Sequence, residues 1–198
     1  YPASWDDLLK PEFKGQISMA HPSTSGTSYT ILATIVQMRG EEATWKYFTA
    51  LNQNIRQYTK SGTTPPMDVG LGEAARGSTF SHDGLESAFE GYPVALSFPK
   101  DGTGYEIGCM ALIKNGPSKE VANGKRFIDW MLSKRGQDLF ETSKSFRIPV
   151  NSQATPPKGS ISVDSLKVIN YDPVWAGQNR NRLIEQFNKV VAAASNLK

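Results

Sequence analysis

Three times in this chain a short apolar run passes through a loop of small or hydroxylated residues into a segment with helical spacing. That repetition constrains the fold more than any figure of composition. In the first instance Ile17 to Ala20 read as a strand and His21-Pro22-Ser23-Thr24-Ser25-Gly26-Thr27 as the loop. Tyr29, Ile31, Leu32, Ile35, Val36 and Met38 then form the apolar stripe of a helix that stops at Gly40. In the second, residues 55–59 alternate like a strand before Lys60-Ser61-Gly62-Thr63-Thr64-Pro65-Pro66, whose prolines suit the first turn of a helix. In the third, residues 77–81 read as a strand, followed by His82-Asp83-Gly84 and a helical piece ending at Gly91. Strands alternating with helices imply an α/β fold with a mostly parallel or mixed central sheet flanked by helices. Ligands of such sheets bind beyond the carboxyl ends of the strands, so the loops at 23–27, 60–64 and 81–84 are placed to converge on one site.

The remaining pattern fits the same class. Ser4-Trp5-Asp6-Asp7 reads as a capping box ahead of Leu8 and Leu9, and Pro11 stops that helix. Glu41 and Glu42 open a helix running through Leu51; residues 92–98 and 108–114 read as further apolar strands around a turn at 99–104. Helices are expected over 118–132 and 134–142, followed by a loop at 149–160. Leu183, Ile184, Phe187, Val190, Val191 and Ala194 then repeat at helical spacing, opposite Arg182, Glu185 and Lys189, as an amphipathic closing helix.

Composition narrows the function classes. With 198 residues the chain holds one sizeable domain or two small ones, and no apolar run approaches the roughly 18 residues a membrane span needs. The opening Tyr1-Pro2-Ala3-Ser4 lacks the basic and apolar parts of a signal peptide, which fits a cytoplasmic protein or one whose leader is gone. The 22 basic residues give a net charge of only +3 and form no stripe, which argues against nucleic acid as a partner. Cys109 is the single cysteine and His21 and His82 are the only histidines, so no disulfide, thiolate cluster or histidine-rich zinc site is expected, and no cofactor.

The hydroxyl loop has an anion-binding chemistry. The first turn of a helix presents backbone N–H groups without intrahelical acceptors, and Gly26 lets a ligand come close to them. Thr24, Ser25 and Thr27 add hydroxyl donors. Charge-assisted hydrogen bonds contribute about 1.5–3 kcal/mol each, so three or four converging donors reach roughly micromolar binding. Capping of the helix by Ser25 or Thr27 accounts for the same residues without any ligand.

An ordered set of motifs runs nearly from end to end: Ser4-Trp5-Asp6-Asp7-Leu8-Leu9, Lys14-Gly15, Ser25-Gly26-Thr27, Gly72-Glu73, Pro99-Lys100-Asp101-Gly102, Ala111-Leu112-Ile113-Lys114, and Leu132-Ser133 with Gly136-Gln137. This set resembles the periplasmic substrate-binding proteins of ABC transporters, in the type II branch that holds ferric-iron, polyamine and sugar-phosphate binders. The resemblance implies two α/β lobes that close on a ligand, and a chain longer than this one. It places residues 1–112 in the second lobe, 113–163 in a segment crossing to the other, mostly missing lobe, and 164–198 in a closing helical segment that returns. It also implies a periplasmic binder rather than an enzyme, with no direct membrane insertion, that delivers its ligand to a permease in the inner membrane. Residues 113–163 are then expected to expose an apolar face.

Iron-binding members of that family place two adjacent tyrosines where this chain has His82-Asp83, and neither Tyr92 nor Tyr105 restores such a pair. Hexose-phosphate members use a His-Asp pair and a nearby Glu for the sugar. The resemblance maps these roles onto His82, Asp83 and Glu106, with Thr24, Ser25, Gly26 and Thr27 holding the phosphate. Lys60 and Tyr105 are left as a solvated lysine and a core aromatic. The alternatives are a ferric-iron or polyamine binder, for which Asp83 and Glu106 offer acidic groups, and a phosphatase-like hydrolase using His82 as base with Asp83 orienting it. The hydrolase lacks a Gly-x-Ser-x-Gly nucleophile motif. An effector-binding domain of a transcription regulator would share the fold, but the chain shows no helix-turn-helix.

Overall fold

The computed structural model describes residues 1–195, with the side chains of 118, 119 and 193–195 left out. The side chain of Ala194 in the closing stripe and residues 196–198 therefore fall outside what is described. The chain forms two compact units, one of residues 1–106 together with the stretch from Ser162 onward, the other of residues 107–161.

In the first unit, β1 (Ile17–Ala20) lies between β2 (Ile55–Thr59) and β3 (Arg76–Ser78), and both pairings are parallel. Ile17, Met19 and Ala20 face Ile55, Tyr58 and Thr59, while Ile17 and Met19 also face Arg76 and Ser78. All four residues of β1 are buried, as expected of a central parallel strand covered on both faces. The one polar residue there, Ser18, donates to Asp68 Oδ2 at 2.6 Å, so its hydroxyl is not left unsatisfied in the core.

Each strand leads into a helix: α1 (Gly26–Arg39) and α2 (Glu41–Leu51) after β1, α3 (Thr64–Gly70) after β2, and α4 (Ser81–Phe89) after β3. α1 is more deeply embedded than a single stripe implies, since every residue from Ser28 to Val36 is buried. It ends where expected, at Gly40 with φ 75°, whose N–H donates to Val36 O at 2.8 Å. The capping box also forms. Asp7 N donates to Ser4 Oγ at 3.2 Å and Ser4 N to Asp7 Oδ2 at 3.0 Å, although the element they open, Asp6–Leu9, is a 3₁₀ turn. The closing helix, α7 in chain order, spans Pro173–Ser195 and drives Leu183 and Phe187, both fully buried, into the cluster of Ile17, Met19, Leu32, Ile35 and Phe48. Arg182 fixes its outer side with two 2.8 Å hydrogen bonds to Glu41.

The α/β class and the helix-flanked sheet are as expected, and the named strands pair only in parallel. Two expected strands are absent. Residues 92–98 alternate half-buried and exposed as a strand would, and 108–114 are exposed throughout, yet neither joins a ladder among the described residues. Period-two patterning specifies a face, but a strand also requires a neighbour for its N–H and C=O groups.

The second unit contains α5 (Ser118–Leu132) and α6 (Lys134–Gln137). α6 is a single turn capped by Ser133 rather than the expected helix over 134–142, because the chain passes into turns at Asp138. This unit exposes Ile113 (82%), Val150 (66%) and Phe127 (57%). Among the described residues no helix is long and apolar enough to cross a membrane.

Candidate functional site

Parallel pairing sends all three βα loops off the same carboxyl edge. Beyond β1, His21 N continues the ladder to Thr59 O at 2.8 Å, and the N–H groups of Thr24 and Ser25 turn back to His21 O at 3.1 and 3.0 Å. Ser25 is the N-cap of α1, its Oγ accepting from Ser28 N at 3.3 Å, while the Ser28 hydroxyl donates to Ala20 O. Capping is therefore real. It occupies the Ser25 oxygen as an acceptor and leaves the first-turn N–H groups of Gly26 and Thr27 without intrahelical acceptors. The Thr24 hydroxyl donates to His21 O at 3.2 Å, so its proton is directed into its own loop.

His21 stabilises this loop from below. Its ring lies edge-on to Tyr58 and Phe187, at 5.6 and 5.4 Å between centroids, and Nδ1 accepts from Ser23 N at 3.2 Å and lies 2.7 Å from Ser23 Oγ. Burial pushes its pKa down, which favours the neutral ring whose Nδ1 can accept.

The loop after β2 meets the loop after β1 at Gly62. A Cβ on Gly62 would stand 2.7 Å from Thr27 Cβ and 3.0 Å from Ser25 Oγ, so only glycine permits this approach. The segment after β3 meets the loop after β2. Thr79 Oγ1 lies 2.7 Å from Gly62 O and 3.1 Å from Asp83 Oδ2. Asp83 is 8% exposed, and its Oδ1 is 3.4 Å from His82 Nε2. The His82 ring stacks on Phe80 at 5.5 Å with an interplanar angle of 22°.

Two placements differ from the sequence reading. Residues 81–84 form the first turn of α4 and not a loop; Asp83 sits where a negative charge favours the helix start, and Gly84 fits close against Leu96. Glu106, which the resemblance grouped with His82 and Asp83, is held by α1. It is exposed, and its Oε2 accepts from Thr30 Oγ1 at 3.3 Å, one helical turn beyond Thr27. The structure thus gathers Ser25, Thr27, His82 and Asp83 about one edge, with Glu106 farther along α1. Gly62 and Thr79 join them unforeseen: Gly62 lay within a loop recognised for its position, whereas nothing in the sequence distinguishes Thr79 from any threonine after a strand.

Hydroxyls and free N–H groups on one side and carboxylate oxygens with an imidazole on the other suit a ligand with an anionic end and a hydroxylated end. Known proteins show the same architecture. Over 97% of its length the chain superposes, with a TM-score of 0.87 and 36% identity, on 60% of the periplasmic binding protein AfuA from Actinobacillus pleuropneumoniae, whose structure contains exogenous fructose-6-phosphate. It is 39% identical over 196 residues to an uncharacterized protein of Haemophilus influenzae, covering 98% of this chain and 56% of that protein. It is 28% identical over 195 residues to the Fe(3+)-binding periplasmic protein of Serratia marcescens, covering 93% of this chain and 54% of that one. The chain thus spans between about half and three-fifths of the length of these relatives. The family model of the bacterial extracellular solute-binding proteins matches residues 1–173, and the chain belongs to that family.

Proposed function

We propose that this chain is part of the periplasmic solute-binding component of an ABC importer, that it takes a hexose phosphate at the carboxyl edge of its sheet, and that the ligand passes to a permease in the inner membrane. It acts as a binder and not as an enzyme. The phosphate lies against the N–H groups of Gly26 and Thr27 and the hydroxyls of Ser25 and Thr27, with Thr24 flanking it. The sugar hydroxyls are read by His82, Asp83 and Glu106. Residues 1–112 and 164–198 serve as the second lobe, 113–163 cross to the other lobe, and the exposed Ile113 and Phe127 belong to the face that lobe covers. The observation that carries this reading is the meeting of Ser25 and Thr27 with Gly62, and of Gly62 with Thr79 and Asp83, at one edge of the sheet. The 36% identity to a protein holding fructose-6-phosphate supports the choice of ligand.

A ferric or polyamine ligand is the competing reading, supported by the 28% identity to an Fe(3+)-binding protein. Ligand-detected NMR, which reads weak binding, separates the two when fructose 6-phosphate, glucose 6-phosphate, free fructose, inorganic phosphate, spermidine and ferric citrate are presented to the chain. Binding of a hexose phosphate in preference to its separate sugar and phosphate parts is the expected result. Binding of ferric citrate or spermidine with no response to any phosphate ester overturns it.

A further inference from the structure

We infer that Thr79 is a positioning residue that couples the phosphate-holding and hydroxyl-reading halves of the site, an inference that rests on the sugar-phosphate reading above. A threonine hydroxyl has a single proton, and here two acceptors compete for it: the Gly62 carbonyl at 2.7 Å and Asp83 Oδ2 at 3.1 Å. The first contact fixes the loop after β2. Gly62 in turn packs so closely on Thr27 and Ser25 that no Cβ fits between them, so a displacement of Gly62 is felt at the start of α1. The second contact shares that proton with a carboxylate that is 8% exposed and whose other oxygen faces His82. One side chain on the β3–α4 connection therefore touches the loop after β2 and the first turn of α4, and reaches the loop after β1 through Gly62. It contributes no atom to the ligand and acts through Gly62 and Asp83.

A purely structural threonine would do no more than stabilise the β3–α4 connection, and its loss would be additive with changes elsewhere. Coupling predicts otherwise. Thr79→Val keeps the branched shape and removes the proton; Thr79→Ser keeps the proton. In 15N–1H spectra of the unliganded chain, Thr79→Val is expected to shift the amide signals of Gly62 and Thr27 as well as that of Asp83, and Thr79→Ser to restore them. Against fructose 6-phosphate, Thr79→Val is expected to weaken binding about tenfold, the loss of roughly one charge-assisted contact, and Thr79→Ser about twofold or less. The double variant Thr27→Val with Thr79→Val is expected to lose less than the product of the two single losses. Amide changes confined to residues 78–84, or multiplicative losses in the double variant, overturn the coupling. If the unaltered chain binds no hexose phosphate, the sugar-phosphate reading falls, and the ligand-free amide shifts still decide whether Thr79 links the loops.

Discussion

The segment from β1 into α1 and the segment from Ile107 to Ile161 contain comparable apolar material but meet different fates. In the first, Ile17, Met19, Leu32 and Ile35 are fully enclosed, because β2, β3, α2 and α7 supply neighbours on every side. In the second, Ile107, Ile113, Phe127 and Val150 remain largely exposed. Apolar patterning tells which face of an element wants burial, and burial itself depends on whether the same chain supplies the covering element. The contrast places the stability of the molecule, and its proposed site, in the first unit.

Truncation provides the largest test of that contrast. Phe187→Ala, at a fully buried ring packed edge-on to Phe48 and Tyr58, is expected to cost about 3–5 kcal/mol in urea unfolding. Trp130→Ala, at a 41% exposed ring stacked on Phe127, is expected to cost less than about 1 kcal/mol. Equal losses would erase the distinction between the two regions.

Glycine substitutions sharpen it. Gly62→Ala drives a methyl group into Thr27 and Ser25 and is expected to destabilise by about 1–3 kcal/mol. Gly108→Ala meets nothing within 4 Å and is expected to be nearly neutral in the same unfolding measurement. Next in size is the cap: Ser25→Ala removes the acceptor for Ser28 N and should cost about 1 kcal/mol. A substitution without effect there would show that the loop is not held by its capping bond.

The smallest effect is a pH dependence. Because burial lowers the pKa of folded His21, the unfolded chain binds the proton more readily. The stabilising contribution is complete above the ordinary histidine value and is lost as the pH falls through it toward the depressed folded value. Urea midpoints at about pH 7.5 and pH 5.5 should therefore show lower stability in acid, with a smaller difference in His21→Asn. No change in the slope on substitution would place the sensitivity at other groups.

Much of the first unit was legible because its signals are local. Gly40 ends α1, Ser4 and Asp7 cap each other, and the strand–loop–helix order fixes which loops share an edge. What was not legible depended on distant partners. Residues 92–98 have the right alternation but no neighbouring strand among the described residues, and the helix expected at 134–142 stops after one turn. In the candidate site, the positions of Ser25 and Thr27 were readable from the strand–loop–helix order, whereas Asp83 was expected in a loop and lies in the first turn of α4. Thr79 was not readable, since its role arises only when Gly62 and Asp83 are brought to it from different parts of the chain.

The most direct test of the sugar-phosphate reading is a residue-resolved NMR titration of the chain with fructose 6-phosphate, with free fructose and inorganic phosphate as controls. Saturable shifts at Gly26, Thr27, Gly62 and Asp83, larger than those from either control, are the predicted result. Saturable shifts elsewhere with none at these four residues would contradict it.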